Sequence, residues 1–314
     1  MARQGLSYAA ASVHNEAMTD TQQPAYLTTK ELAELLRIKE RKVYDLAAAG
    51  EVPCVRVVGK LLFPRSDVEA WIAASRSGPS VGAAPLPLLL AGSHDPLLEW
   101  ALRESGSGIP AFFDGSLDGL ARLQRRDAMA CGMHVREADN GWNVETVRQA
   151  MPDQPVVVME FAQRQRGLIV AAGNPHGVAG IGDVAPLRCA RRQSGAGSQR
   201  LFEELVRGEG LDPAALAGPV VPARTENDVA LIVLDGSADV AFGLAAVAAQ
   251  MRLGFVPLVE ERFDLVLWRQ AYFEKPFQAF LRFAASDAFR QRAAAMPGYA
   301  IGGFGTIHHN GPGI

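Results

Sequence analysis

LPLLLAGSHDPLLEWALRES, residues 86–105, decides the fold of the larger part of this 314-residue chain. A short apolar run ends at Gly92-Ser93. Leu97, Leu98, Ala101 and Leu102 then recur at helical spacing. The plan is strand, small polar junction, amphipathic helix, and it is written twice more. IPAFFDGS (109–116) precedes LDGLARLQRRD, and AMACGMHV (128–135) precedes NVETVRQAM. Alternating strands and helices imply an α/β sheet with parallel strands. Such sheets bind ligands in a crevice at the carboxyl ends of the strands.

Those ends carry AGSHD (91–95), DGSLDG (114–119) and RRQSGAGSQ (191–199), the last leading into LFEELVRG. Each is a small polar loop at a helix N-terminus, where free N–H groups and the helix dipole favour an anion. Ser93, Ser116, Ser194 and Ser198 can add hydroxyl donors. His134, at a strand end, either faces the same crevice or is a satisfied structural histidine. His176, in the turn GNPHG, and His308-His309, near the end of the chain, read as surface residues. There is no GxSxG elbow, no GxxxxGK[ST] loop and no HExxH. A binding domain is expected rather than an enzyme, with no cofactor and no resident metal.

Toward the N-terminus the texture changes. ASRSGPSVGAAPLP (74–87) has the composition of a linker. The expected division is a disordered leader at 1–25, a compact block at 26–74, a linker at 75–87 and the large domain at 88–314. The net charge of −3 alone argues against a nucleic-acid partner. Split by block, the inference reverses. Residues 26–76 hold nine Lys/Arg against seven Asp/Glu, a net of +2, while the residues after 76 sum to −4. Cys54, Cys131 and Cys189 form no CxxC pair, which fits reduced thiols. No apolar run reaches the ~18 residues of a membrane span, and the first twenty residues lack a secretory pattern. A cytoplasmic protein without membrane contact is expected.

In the small block, Thr28 and Glu31 have capping-box spacing ahead of Leu32, Leu35 and Leu36, expected inward. KERKVYDLAAAG predicts a second helix with Val43, Leu46 and Ala47 inward and Gly50 as its stop. Two helices and a tight turn make a helix-turn-helix. VPCVRVVGKLLFPRSDVEAWI then predicts a strand, a turn at Gly59-Lys60, a second strand and a helix opened by Ser66 or Asp67. Trp71 and Tyr26 are expected in the core.

The set Tyr26-Leu27-Thr28, Glu31-Leu32-Ala33, Val43-Tyr44, Gly50-Glu51-Val52-Pro53, Phe63-Pro64, Asp67-Val68 and Trp71-Ile72 resembles the excisionase-type winged helix-turn-helix. That resemblance implies a mainly α domain with a small β hairpin as wing. Lys39, Arg41, Lys42 and Tyr44 would start the recognition helix in the major groove, and Arg56, Lys60 and Arg65 would lie on the wing and after it.

The large block resembles the periplasmic-binding-protein-like (type II) family related to molybdate- and tungstate-binding proteins. The resemblance rests on Gly92–Pro96, Gly115-Ser116, Gly132-Met133-His134, Arg164–Leu168, Gly173-Asn174-Pro175, Arg192–Ser198, Glu226, Ala238–Gly243 and Phe255–Val266. It implies a two-lobed α/β domain with the ligand between the lobes. PVVVMEFAQRQRGLIVAAGNP would be one crossover, with DLVLWR or ADVAFG near the return. Ser93, His94, Ser116 and His134 from one lobe, and Ser194, Gly195, Ala196, Gly197 and Asp239 from the other, are the candidate ligand residues. Asp239 is a puzzle in an anion site. Arg164 and Arg192 could contact the anion or pair with acidic side chains.

Joined, the blocks imply a transcriptional regulator with double-stranded operator DNA and a small anionic effector, molybdate or tungstate, as partners, acting as a homodimer. A sensor of an organic ligand or of a molybdenum-cofactor-related compound is the nearest alternative. A molybdenum-cofactor-processing enzyme is the alternative from a different class.

Overall fold

The computed structural model describes residues 24–74, 85–138 and 141–312, in two compact units, Met1–Ala83 and Ala84–Ile314. The expected leader up to residue 23, and the expected linker over 75–84, lie outside the described residues.

In the first unit, β1 (Tyr26–Thr28) leads into α1 (Thr29–Leu36) and α2 (Glu40–Ala49), followed by β2 (Val55–Val57), β3 (Lys60–Pro64) and α3 (Arg65–Ala74). The capping box forms: the Glu31 backbone N–H donates to Thr28 Oγ1 at 3.3 Å, and the Thr28 N–H donates to the Glu31 carboxylate at 2.7 Å. Leu27, Leu32, Ala33, Val43, Val52, Phe63 and Val68 form the core. Four local expectations need correction. Leu35 is exposed, because Leu32, Ala33 and Leu36 make the inward stripe and Leu35 lies about 100° round the helix from its middle. Lys60 begins β3, and the turn is Val58-Gly59, both at positive φ. The third helix opens at Arg65 rather than at Ser66 or Asp67. Tyr26–Thr28 is a strand paired with β3, which leaves Tyr26 half exposed at the edge of the β1-β3-β2 sheet; Trp71 is half-buried against the core.

The second unit begins as its sequence periodicity predicts: β4 (Leu90–Gly92), α4 (Pro96–Glu104), β5 (Ala111–Phe113), α5 (Ser116–Gln124), β6 (Ala130–Met133) and α6 (Val144–Ala150). Leu97, Leu98, Ala101 and Leu102 are all buried. Then comes β7 (Val156–Val170), the first of two long strands. The other lobe follows: β8 (Cys189–Ala190), α7 (Gly197–Gly208), α8 (Glu226–Leu234), β9 (Val240–Leu244) and α9 (Ala245–Gln250). β10 (Gly254–Trp268) returns along β7 for its whole length, and α10 (Arg269–Tyr272), α11 (Lys275–Ala284) and α12 (Asp287–Ala294) complete the first lobe. The short β11 (Tyr299–Ala300) and β12 (Ile307–Asn310) flank β7.

One nine-stranded sheet runs through both lobes, seven strands in the order β5-β4-β6-β10-β7-β9-β8 and the short β11 and β12 branching from β7. β4, β5 and β6 are parallel, as are β8 and β9; the long pair joins them antiparallel. PVVVMEFAQRQRGLIVAAGNP is thus one crossover and DLVLWR belongs to the return, whereas ADVAFG is an internal strand of the second lobe. A Phe-rich core fills the first lobe, and two smaller clusters cover the two faces of the sheet in the second.

Candidate functional site

In the first unit, Lys39 is the N-cap of α2, and Arg41, Lys42 and Tyr44 lie exposed along its first two turns. Tyr44, Arg56 and Lys60 line one groove of about 450 Å³ with Thr28 and Thr29. The groove runs between the N-terminus of α1, with Lys30, and the hairpin, with Arg56 and Lys60; Tyr44 is the residue of α2 that lines it, and Lys39, Arg41 and Lys42 lie outside it. Arg65 has a different position. Its Nε donates to the Pro24 carbonyl at 3.1 Å, and its guanidinium lies 4.0 Å from Glu69, so it braces the fold.

In the second unit, the cleft is built at the carboxyl ends of β4, β5, β6 and β8. Ser93 follows β4 and Ser116 opens α5; both are buried and their hydroxyls bond at 2.8 Å. The His134 backbone N–H donates to Ser116 Oγ at 3.3 Å. From the other lobe the N-terminus of α7 arrives so closely that no side chain fits. A Cβ on Gly197 would stand 2.8 Å from the His134 carbonyl and 3.0 Å from Ser116 Oγ. A Cβ on Gly115 would stand 2.7 Å from the Gly195 carbonyl. Neither Gly115, the N-cap of α5, nor Ala196, the N-cap of α7, supplies a side-chain cap. Two helix N-termini with free N–H groups therefore face each other across the cleft. Ser198, in the first turn of α7, is 1% exposed and its hydroxyl has no partner.

Beneath this junction lies a buried ionic network. Arg164 and Arg166 are two apart on β7 and so share a face. Arg164 donates to Asp95 at 2.7 Å and to Glu261 at 2.5 Å. Arg166 donates to Glu261 at 2.8 Å and clamps Glu226 at 3.0 and 3.2 Å. Arg192 donates to Glu226 at 2.8 Å. Three guanidiniums thus meet three carboxylates contributed by both lobes and the crossing strands. Burial opposes the charge on Glu226, but Arg166 and Arg192 outweigh it and bring its carboxyl down to about 2. Glu261 is likewise held well below the usual carboxylate range, burial being overcome by Arg164 and Arg166. Burial also pushes the Tyr299 phenol up, helped by Asp95, to which it donates at 2.5 Å.

The two cleft histidines differ. His94 is buried and bridges the lobes: its Nδ1 accepts the Glu226 N–H at 3.3 Å, so Nε2 carries the proton facing Glu99 at 3.1 Å. His134 places Nδ1 2.9 Å from Glu261 and stacks on Phe263, and burial lowers its pKa.

Two expected ligand residues lie elsewhere. Ser194 is exposed, because the loop turns outward before Gly195; Ser198 is the buried hydroxyl of that segment. Asp239 precedes β9 instead of following a strand. β8 and β9 are parallel, so Asp239 lies at the end of the sheet opposite Arg192. There it pairs with Arg188 at 2.6 Å, which depresses its carboxyl to about 2. Gly195, Ala196 and Gly197 lie at the lobe junction. Sequence reasoning missed Glu261 and Tyr299 as cleft-supporting groups. The alternation of Arg164 and Arg166 along an apolar strand was the available signal for buried carboxylate partners. Among the described residues no group of His, Cys, Asp and Glu could hold a metal ion, and no helix is long and apolar enough to cross a membrane.

A two-lobed α/β unit on crossing strands, preceded by a helix-turn-helix unit, is a fold class that comparison identifies. The family model described as the PBP superfamily domain matches residues 98–285, and one described as a helix-turn-helix domain matches residues 26–76. The chain belongs to the PBP superfamily domain family, with a helix-turn-helix domain before it. It is similar to the uncharacterized protein YvgK of Bacillus subtilis (strain 168), 25% identical over 87% of this chain and 94% of that protein. An uncharacterized protein from the ferredoxin 2Fe-2S gene 5' region of Clostridium pasteurianum is 28% identical over 34% of this chain and 96% of its own length. Among solved structures, a phosphate ABC transporter substrate-binding protein of Clostridium perfringens with bound phosphate superposes with a TM-score of 0.50 at 14% identity. That match covers 66% of this chain and 96% of the other.

Proposed function

We propose that this protein is a ligand-responsive transcriptional regulator, a binding protein rather than an enzyme. The helix-turn-helix unit takes operator DNA, and the two-lobed unit senses a small tetrahedral oxyanion, with molybdate or tungstate as the effector. One observation carries the reading. The uncapped N-termini of α5 and α7 converge with the hydroxyls of Ser93, Ser116 and the unpartnered Ser198, a set of donors suited to an acceptor-only ligand. The phosphate bound by the C. perfringens structural relative belongs to the same chemical class. On the DNA side, α2 would enter the major groove with Lys39, Arg41, Lys42 and Tyr44, and the hairpin would act as a wing with Arg56 and Lys60. A homodimer follows from the two-fold symmetry of operators, and the cytoplasm from the location of DNA. Closure of the cleft would shift the population of DNA-competent conformers.

Thermal-shift measurements on the full chain with molybdate, tungstate, sulfate, phosphate and small organic acids test this. A rise in Tm with oxyanions is expected; a rise with organic acids alone overturns the oxyanion reading. That second reading has an observation of its own. A pocket of about 270 Å³ beside Gly197, lined by Val135, Arg200 and Leu201 and by the ion pairs Arg136–Glu204 and Arg207–Glu203, could seat an organic group on the anion.

A further inference from the structure

The charge inventory of the cleft carries an inference that deepens the oxyanion reading and rests on it. Arg164, Arg166 and Arg192 are matched one for one by Asp95, Glu226 and Glu261, all buried. No guanidinium of this network is left over to neutralise an arriving dianion. A titratable group at the junction of α5 and α7 can supply the compensating charge from within the buried site. His94 is unsuited to that role. Its Nδ1 lone pair already accepts the Glu226 N–H, and protonation there would break the bond. His134 is suited. Nδ1 faces Glu261, so the neutral ring donates there and keeps its lone pair on Nε2. Among the described residues Glu261 is the sole hydrogen-bond partner of the His134 ring. The Cε1 edge next to Nε2 points at the N-terminus of α7, 3.1 Å from where a Gly197 Cβ would stand.

We propose that His134 determines specificity by taking up one proton at Nε2 as the effector binds. The imidazolium then donates one hydrogen bond to Glu261 and one to the oxyanion. The groups that face the ring set this balance. Glu261 on β10 favours the cation, and Arg164 and Arg166 on β7 oppose it. Phe263 on β10 stacks without charge, and Ser116 and Gly197 bring only neutral dipoles from α5 and α7. In the absence of effector, burial and the two guanidiniums keep the ring neutral. A dianion beside Nε2 adds the missing attraction. The protonated ring then adds a donor, and no acceptor, to a site lined by N–H groups and hydroxyls. At the ring itself a fully ionised oxyanion such as molybdate, tungstate or sulfate offers an acceptor from any corner, whereas hydrogen phosphate must turn its O–H away from Nε2 and toward a hydroxyl, so it is disfavoured. The sign of the linkage follows. Affinity is greatest at low pH, falls by about tenfold per unit between the lowered pKa of the free ring and the raised pKa of the complex, and levels off above the latter.

Isothermal titration calorimetry of the full chain with sodium molybdate, in two neutral buffers of different ionisation enthalpy, counts the proton. The expected results are uptake close to one proton per molybdate, weaker binding of sodium phosphate, and affinity that declines as pH rises. H134Q is expected to bind molybdate more weakly, with no uptake and no pH slope. Tight molybdate binding by the wild type without uptake, uptake unchanged in H134Q, or phosphate bound as tightly as molybdate overturns the proposal. The wild-type measurement stands even where H134Q does not fold. If molybdate, tungstate and sulfate all give no binding heat, the oxyanion reading itself falls, which is a different outcome from binding without a proton.

Discussion

Glu226 shows what one residue contributes here. It opens α8 through the Thr225 cap, accepts from Arg166 and Arg192, and offers its N–H to His94 across the cleft. Removing one partner of a buried pair leaves an uncompensated charge. Glu226→Gln should lower stability by about 3–5 kcal/mol, read by urea denaturation at neutral pH. The pH dependence has a definite sign. The folded pKa of about 2 lies below the ordinary 4.5, so the stabilisation is present above 4.5 and is lost as pH falls toward 2. The variant should flatten that acid limb; an unchanged limb would place the effect in other carboxylates. Little of this network was legible in the sequence. Arg164 and Arg192 stood out as cations, yet their partners lie from 34 to 97 positions away, and only register along β7 and β10 brings them together. Ser93 and Ser116 were legible because strand-end junctions are local. Asp239 was misplaced because a residue before a strand and one after it look alike without the sheet order.

At the scale of elements, helix N-termini do the work. α7 approaches His134 and Ser116 only because position 197 lacks a side chain. Gly197→Ala should hold the lobes apart and lose effector binding with little change in Tm. Small-angle scattering with and without molybdate would show an open, effector-insensitive form; normal closure would refute the steric account. In the first unit, α2 exposes Arg41 and Lys42 on its free face. Arg41→Ala or Lys42→Ala should weaken operator binding and reduce the salt slope by about one phosphate contact, with effector affinity unchanged. Titrations at several salt concentrations decide this, and equal losses in both activities would contradict separate roles. Helix periodicity and capping residues made most of these elements readable. β1 was not, because three residues carry too little pattern until β3 supplies a partner.

For the whole molecule, the reading requires that effector and DNA know of each other. If molybdate changes operator affinity by some factor, the operator must change molybdate affinity by the same factor, typically about 5–150-fold. Calorimetry with and without operator DNA measures both arms; equal affinities in its presence and absence would leave two uncoupled binding units.

The position of β10 has a consequence for how the protein comes into being. Its residues hydrogen-bond between β6 and β7, at the middle of the sheet, yet they are among the last strands to be made. The helix-turn-helix core is complete once residue 74 has emerged. At about 5–20 residues per second, Trp268 follows roughly 10–40 s later. Throughout that interval the nascent chain carries a finished helix-turn-helix unit ahead of a two-lobed unit whose central seam is still open.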